Sequence, residues 1–321
     1  QPVRAPAAAW WIASYSALKA GEKESLATGA AAQAETARQW QLVEESEAEG
    51  ALARLADEPG AAPSLTPVPP VQTQALAALH AFARGPGPGS LLHELFELCA
   101  GQGFAALAGQ TTRLEGLIAP RCTRYGLTEW TPTLAPWLAA FLHLPLALPG
   151  GGAVALAALS VYRAELEFWL PAERVDAGRL DALVGAQVLP GRVRPPLPPR
   201  QLSGMLKGFV DLVFEHEGRH YVLDYKSNHL GPALSDYHAE AVITEVLAHR
   251  YELQYSLYLF ALHRHLRARL PDYDYDRHVG GALYPFLRGV APGGWGVHVD
   301  RPPRALMEAL DGLFTDGEGN A

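Results

Sequence analysis

Residues 208–226, GFVDLVFEHEGRHYVLDYK, constrain this fold more than any other stretch of the chain. Apolar and polar residues alternate on both sides of Glu217-Gly218, the pattern of two β-strands joined by a tight turn. In the first strand Val210, Leu212 and Phe214 are expected on one face and Asp211 on the other. In the second, Asp224 and Lys226 share a face because they are two apart, with Tyr225 opposite. If Asp211 meets that face, two carboxylates offer hard oxygen donors suited to Mg²⁺ or Mn²⁺, with the Tyr225 carbonyl as a further ligand. Lys226 could then orient a water or stabilise charge growing on a phosphate. The competing reading is a solvated surface hairpin carrying three charges.

Bulk properties narrow the class. A chain of 321 residues, 49% of them apolar, can bury a sizeable core. It begins Gln1-Pro2-Val3 rather than with Met, which suggests a piece of a longer protein. No signal-peptide pattern opens it, and the most apolar run, around residues 153–159, is too short to span a membrane. Cys99 and Cys122 are the only cysteines, too few for a disulfide framework or a four-cysteine iron–sulfur cluster. They are expected as small buried side chains in a cytoplasmic protein. The net charge of −8 argues against binding nucleic acid through overall charge. A metal site's own carboxylates count towards that total, and a local basic groove or a basic partner could supply phosphate contacts. No G-x-x-x-x-G-K-[ST] occurs, so no ATP site is expected.

Along the chain, WWIASYSAL (10–18) reads as a strand or docking segment, and 29–56 as a polar helix or a mobile stretch. The Pro-rich run 57–70 reads as a linker, with the compact domain starting near Val71 and running to residue 321. Residues 71–84 read as a helix broken by Gly85-Pro86-Gly87-Pro88-Gly89. Ser90 is then the expected N-cap of LLHELFELCA. A helix is expected over 128–142 and a strand from Val161, with Ala164, Leu166, Phe168 and Leu170 facing one way and Glu165, Glu167 and Trp169 the other. A Pro-rich loop covers 190–200. Two helices, 236–249 and 251–269, meet near Arg250; a late strand covers 279–288 and a last helix 302–314. The order implies an α/β or α+β domain around a mixed sheet.

Three further sets of residues bear on the hairpin. Glu165 or Glu167, on the preceding strand, could reach a metal held there, or both could simply be exposed. His93 and Glu97 share a helix face, but Glu97 stands where a zinc-protease H-E-x-x-H helix needs its second histidine, and no third ligand follows. Gln254 and Tyr258 point together from a helix and could contact a DNA phosphate or the scissile strand, or only each other.

The segments WWIASYSAL, GSLLHELFE, RAELEFWLP, GFVDLVFEHEGRHYVLDYKSNHLG, YELQYSLYLFALHRHL, DYDYDRHVGGALYPFLRG and GWGVHVDRPP together resemble, in order, the C-terminal nuclease domains of the RecB family. RecB is the beta subunit of the RecBCD helicase–nuclease, exodeoxyribonuclease V. The resemblance implies a restriction-endonuclease-like PD-(D/E)xK core, a mixed central sheet flanked by helices. It implies His93, Asp211 and Asp224 as Mg²⁺ ligands, Lys226 as the catalytic lysine and Glu165 as the acid of the earlier strand, with Glu167 the alternative. Gln254 and Tyr258 match the family's Q-x-x-x-Y motif. The implied partners are DNA, RecC-like and RecD-like subunits and a helicase portion of the same polypeptide. Two other classes compete: a degenerate nuclease fold serving as a scaffold, and a nucleic-acid-binding domain without catalysis.

Overall fold

The computed structural model describes residues 11–14 and 70–315. Strand β1 (Trp11–Ser14) is followed by α1 (Pro70–Ala77), α2 (Pro86–Gln102), α3 (Phe104–Leu107), α4 (Thr111–Arg124) and α5 (Thr131–His143). A small ribbon, β2 (Leu146–Ala147) and β3 (Ala153–Val154), leads to β4 (Val161–Asp176), α6 (Ala177–Gln187), β5 (Gln201–His216) and β6 (Arg219–Leu223). The C-terminal part runs α7 (Ala239–Ala248), α8 (Tyr251–Arg269), α9 (Tyr275–His278), β7 (Val279–Pro285), β8 (Val297–Asp300) and α10 (Arg304–Thr315).

Six strands make one mixed sheet in the order β1-β5-β6-β7-β8, with β4 also paired to β5. β4, β5 and β6 are antiparallel neighbours, while β1–β5 and β6–β7 are parallel. Helices α2, α4 and α5 cover one face, where Phe96 and Phe141 pack with Leu212, Phe214 and Tyr225. Helices α6, α7, α8 and α10 cover the other, where Leu257 and Leu310 pack with Val210, Val222 and Tyr284. The α/β class and the mixed, helix-flanked sheet are as expected. Glu217 (φ 51°) and Gly218 (φ 74°) both adopt the left-handed conformation that a two-residue hairpin turn demands. Arg250, also left-handed at φ 59°, separates α7 from α8 where the junction was expected. Cys99 and Cys122 are buried free thiols.

Several expectations need correction. Ser90 is not an N-cap: α2 starts at Pro86, capped by Gly85 at φ 110°, and runs through the Gly-Pro repeat. Prolines in a first turn forfeit only N–H groups that have no intrahelical partner there. The helix expected over 71–84 is shorter, an α-turn segment finishing as a 3₁₀ turn at Ala81. The even alternation of faces fails at the site. Val210 packs into one core layer and Leu212 and Phe214 into the other; Ala164 likewise parts from Leu166, Phe168 and Leu170. Glu165 at φ 50° breaks the pleat of β4, and the break in β5 lies directly across from it. Helices α4 and α6 and strand β8 were not foreseen. The readings of 29–56 and 57–69 lie outside the described residues.

His298 on β8 is buried beside Tyr255 and across the strand pair from Tyr284. Burial pushes its imidazole down from 6.5 to about 4. Above the ordinary value both folded and unfolded chains hold it neutral and its contribution is complete. As the pH falls from about 6.5 towards 4 only the unfolded chain takes up the proton, so up to roughly 3 kcal/mol of stability is lost. His298→Asn is therefore expected to flatten the acid limb of stability. Urea midpoints of both proteins across that pH range check it; parallel curves would sink the assignment.

Candidate active site

The site forms where the hairpin stops being a hairpin. Leu212 and Leu223 are the last paired residues of β5 and β6, so Asp211 and Asp224 occupy the next register position. They do not pair. The chain beyond Leu223 leaves β5 and stays with β7: Asp224 N–H donates to Leu283 O at 3.0 Å and Lys226 N–H to Pro285 O at 2.9 Å. Leu287 N–H returns a bond to Lys226 O at 2.8 Å. The Tyr225 N–H, turned back across the split, donates to Asp211 Oδ2 at 2.8 Å. The two acids thus stand at the mouth of an opening in the sheet.

Asp224 and Lys226 are both fully buried, at 0% exposure, which rules out the solvated-hairpin reading. Lys226 Nζ lies 2.6 Å from Asp224 Oδ2 and donates to Gln254 Oε1 at 3.1 Å. Gln254 Oε1 also accepts from Tyr284 OH at 2.9 Å, and Gln254 Nε2 donates to Tyr258 OH at 3.0 Å. Burial pushes the Asp224 carboxyl up to about 7; Lys226 opposes this and the Asp211 charge adds to it. Asp211 also suffers from burial, but His93, the Tyr225 N–H and Lys226 outweigh it and hold its carboxyl below the usual range.

His93, on α2, reaches the sheet with Nδ1 3.2 Å from Asp211 Oδ2. Phe96, one turn on, stacks on the Tyr225 ring at 3.9 Å and fixes the helix against the split. Glu165 lies across β4 from Asp211, since Ala164 pairs with Leu212 and Leu166 with Val210. His93, Glu165, Asp211 and Tyr225 line one cleft. Glu167 is not among them; it is exposed and paired with Lys207 at 2.9 Å.

The donors present fit a hard divalent cation. Asp224 Oδ1 is buried and accepts no hydrogen bond among the described residues, an arrangement that costs free energy unless a cation or water meets it. With Asp211 it offers carboxylate oxygens and His93 adds a nitrogen. Among the described residues, however, no three His, Cys, Asp or Glu side chains stand together as a ready metal cluster. Lys226 and His93 lie against the carboxylates instead.

Gln254 and Tyr258, expected to reach DNA, are placed differently. They are 0% and 2% exposed, and their polar atoms engage Lys226, Tyr284 and each other. Both project from the first part of α8, residues 251–260, where every residue is buried, so neither offers a surface to a polymer. Sequence reasoning missed Arg288. It is buried and donates to Ser227 O, Phe82 O and Ala83 O at 2.8, 2.6 and 2.7 Å, tying the Lys226 loop to the segment before α2. A lone arginine in an apolar run, YPFLRG, was its only signal.

A sheet that splits between two acids, with a buried lysine two residues after the second, defines a nuclease fold of one class. Residues 80–310 match the model of the PD-(D/E)XK nuclease superfamily, and the chain belongs to that superfamily. It is 42% identical over 246 residues to the RecBCD enzyme subunit RecB of Escherichia coli (strain K12), a match that covers 73% of this chain and 20% of that protein. The RecBCD enzyme subunit RecB of Haemophilus influenzae is 38% identical over 234 residues, covering 72% and 18%. That of Mycobacterium tuberculosis (strain ATCC 25618 / H37Rv) is 41% identical over 130 residues, covering 38% and 12%. The chain spans about a fifth or less of the length of these curated relatives. The expected resemblance to RecB-type nuclease domains is borne out. No helix among the described residues is long and apolar enough to cross a membrane.

Proposed function

We propose that this chain hydrolyses DNA phosphodiesters in the presence of Mg²⁺, with Mn²⁺ as a substitute, as the nuclease domain of a RecB-type subunit. The reading extends to residues 71–321 as the nuclease domain and 1–70 as its entry segment and linker. The observation that carries it is the buried Asp224–Lys226 pair beside Asp211 at the split of the sheet. Asp211, Asp224 and His93, with the Tyr225 carbonyl, would hold the ion, which when bound supplies a Lewis acid and a water of lowered pKa. Lys226 is aimed by Gln254 and can orient the attacking water or meet charge on the phosphate. Glu165 faces the same cleft and can accept a hydrogen bond from that water. By analogy with the RecBCD subunits, the substrate is a strand of linear DNA delivered by a helicase portion and by RecC-like and RecD-like partners. The biological setting is homologous-recombination repair of double-strand breaks and degradation of linear DNA.

Cleavage of linear DNA in Mg²⁺, absent in EDTA, is the expected result for the purified native assembly. No cleavage in either would overturn the reading. A degenerate nuclease fold acting as a scaffold is favoured by the lack of a ready metal cluster among the described residues. Calorimetric titration separates the two, since Mg²⁺ uptake that depends on Asp211 is expected of the enzyme alone.

Two variants refine the roles. Gln254→Ala should lower kcat roughly tenfold to a hundredfold with little change in KM for DNA, because it loosens Lys226 rather than a substrate contact. A raised KM at constant kcat would restore the DNA-contact role. Glu165→Gln should cost at least about tenfold in rate, whereas Glu167→Gln loses only an exposed ion pair, worth about 1 kcal/mol or less. Equal losses in single-turnover assays would reject the choice of Glu165.

A further inference from the structure

Lys226 is a cation removed from water, with Asp224 Oδ2 and Gln254 Oε1 against its Nζ. Its Nζ also lies 3.9 Å from the centroid of the Tyr251 ring and 5.2 Å from that of Tyr284. The two rings stand 5.9 Å apart, tilted by 40°. An ammonium over an aromatic face is drawn to the ring's negative quadrupole, and more strongly where water is excluded. Tyr251 is itself held in place. Its OH donates to Asn228 Oδ1 at 3.3 Å, and Asn228 Nδ2 donates to Glu245 Oε1 at 2.9 Å. His249 Nε2 lies 3.0 Å from the same Glu245 oxygen, and the His249 ring stacks on Tyr251 at 5.3 Å and 19°. Asn228 is 1% exposed and follows Lys226 by two residues, so this chain of contacts fastens the Lys226 loop to α7 and to the first turn of α8.

We propose that Tyr251 is a positioning residue for Lys226. Its ring seats the ammonium, Tyr284 forms the second wall, and the Asn228–Glu245–His249 chain braces the seat. The catalytic consequence rests on the reading of Lys226 as the residue that handles water or phosphate. The hydroxyl of Tyr251 is a brace; the ring is the working part, so Phe should replace it and Leu should not.

The full chain has only four lysines, at 19, 23, 207 and 226, which makes a carbon-13 lysine label readable. A ring-shifted Lys226 signal, assigned by its loss in Lys226→Arg, is expected in the native chain and in Tyr251→Phe and should move to an ordinary position in Tyr251→Leu. Lys207, over the Trp169 ring at 4.7 Å, should stay shifted in all of them as an internal control of folding. In DNA-cleavage assays Tyr251→Leu should lower kcat about tenfold to a hundredfold with KM unchanged, and Tyr251→Phe less than threefold. In a Lys226→Ala background Tyr251→Leu should cost less than twofold more, since the two act as one unit. An unshifted Lys226 signal, or a full additional loss in the Lys226→Ala background, overturns the proposal. If the native assembly cuts no DNA, the nuclease reading fails while the lysine spectrum still decides the seat.

Discussion

Replacing Asp224 by Ala is expected to lower the rate of DNA cleavage in Mg²⁺ by about a thousandfold or more. Asp224 carries the buried oxygen that no donor among the described residues meets, and it is also the partner that balances the buried Lys226. Lewis-acid stabilisation at such a site is worth several kcal/mol, and about 4 kcal/mol corresponds to three orders of magnitude. The substitution also leaves a buried ammonium without its carboxylate, a change that costs about 3–5 kcal/mol of stability when no partner replaces it. Asp224→Asn keeps the shape and separates the two effects. It should fold better than Asp224→Ala and be as inactive, because an amide cannot give a cation a full negative charge. Single-turnover cleavage, together with Mg²⁺ uptake by calorimetry, checks this. Activity within tenfold of the native protein in either variant would remove Asp224 from the site.

The largest loss of stability outside the acids is expected at Arg288. Its guanidinium donates to three main-chain carbonyls on two segments that are far apart in sequence. Arg288→Ala leaves those carbonyls buried without donors and opens a cavity beside Phe82. Each orphaned group costs about 1–3 kcal/mol, so a loss of about 4 kcal/mol is expected. In a domain of this size that is roughly a 10 °C fall in Tm. Arg288→Lys cannot fork its bonds to three carbonyls and should recover less than half of the loss. The effect should reach the chemistry too, since Arg288 joins the loop after Lys226 to the segment that leads into α2 and His93. Urea unfolding and kcat measured well below the new midpoint test both parts. A change of under about 1 kcal/mol would show that water replaces the guanidinium at no cost.

The pieces of the site were legible in different degrees. Asp211, Asp224 and Lys226 stood out because charged residues interrupt two strands that are otherwise strongly apolar. His93 drew notice only as half of an incomplete H-E-x-x-H pattern and through the family resemblance of GSLLHELFE. Gln254 and Tyr258 were found by helical spacing and then given the wrong environment. Spacing of four shows that two side chains point together, not that they point to solvent, and residues 251–260 of α8 are buried on every side. The choice between Glu165 and Glu167 was beyond periodicity for a related reason. Strict alternation puts both on one face, whereas the left-handed backbone at Glu165 and the register with β5 separate them. The brace behind Lys226 lies in three segments, and no local pattern links Asn228, Glu245 and Tyr284.

By itself the sequence determined the hairpin, its turn, the helix junction at Arg250 and the identity of the acids and the lysine. Those depend on local preferences: alternation of apolar residues, a left-handed Glu-Gly turn and the charges written into the strands. Only the tertiary structure decided that β6 abandons β5 at Leu223 and follows β7, because that choice depends on hydrogen bonds to Leu283 and Pro285, about sixty residues away. That departure opens the sheet, buries Asp224 and Lys226 and brings His93 and Glu165 to Asp211. The local code supplied the reactive groups, and the competition between two neighbouring strands for one segment of backbone turned them into a site.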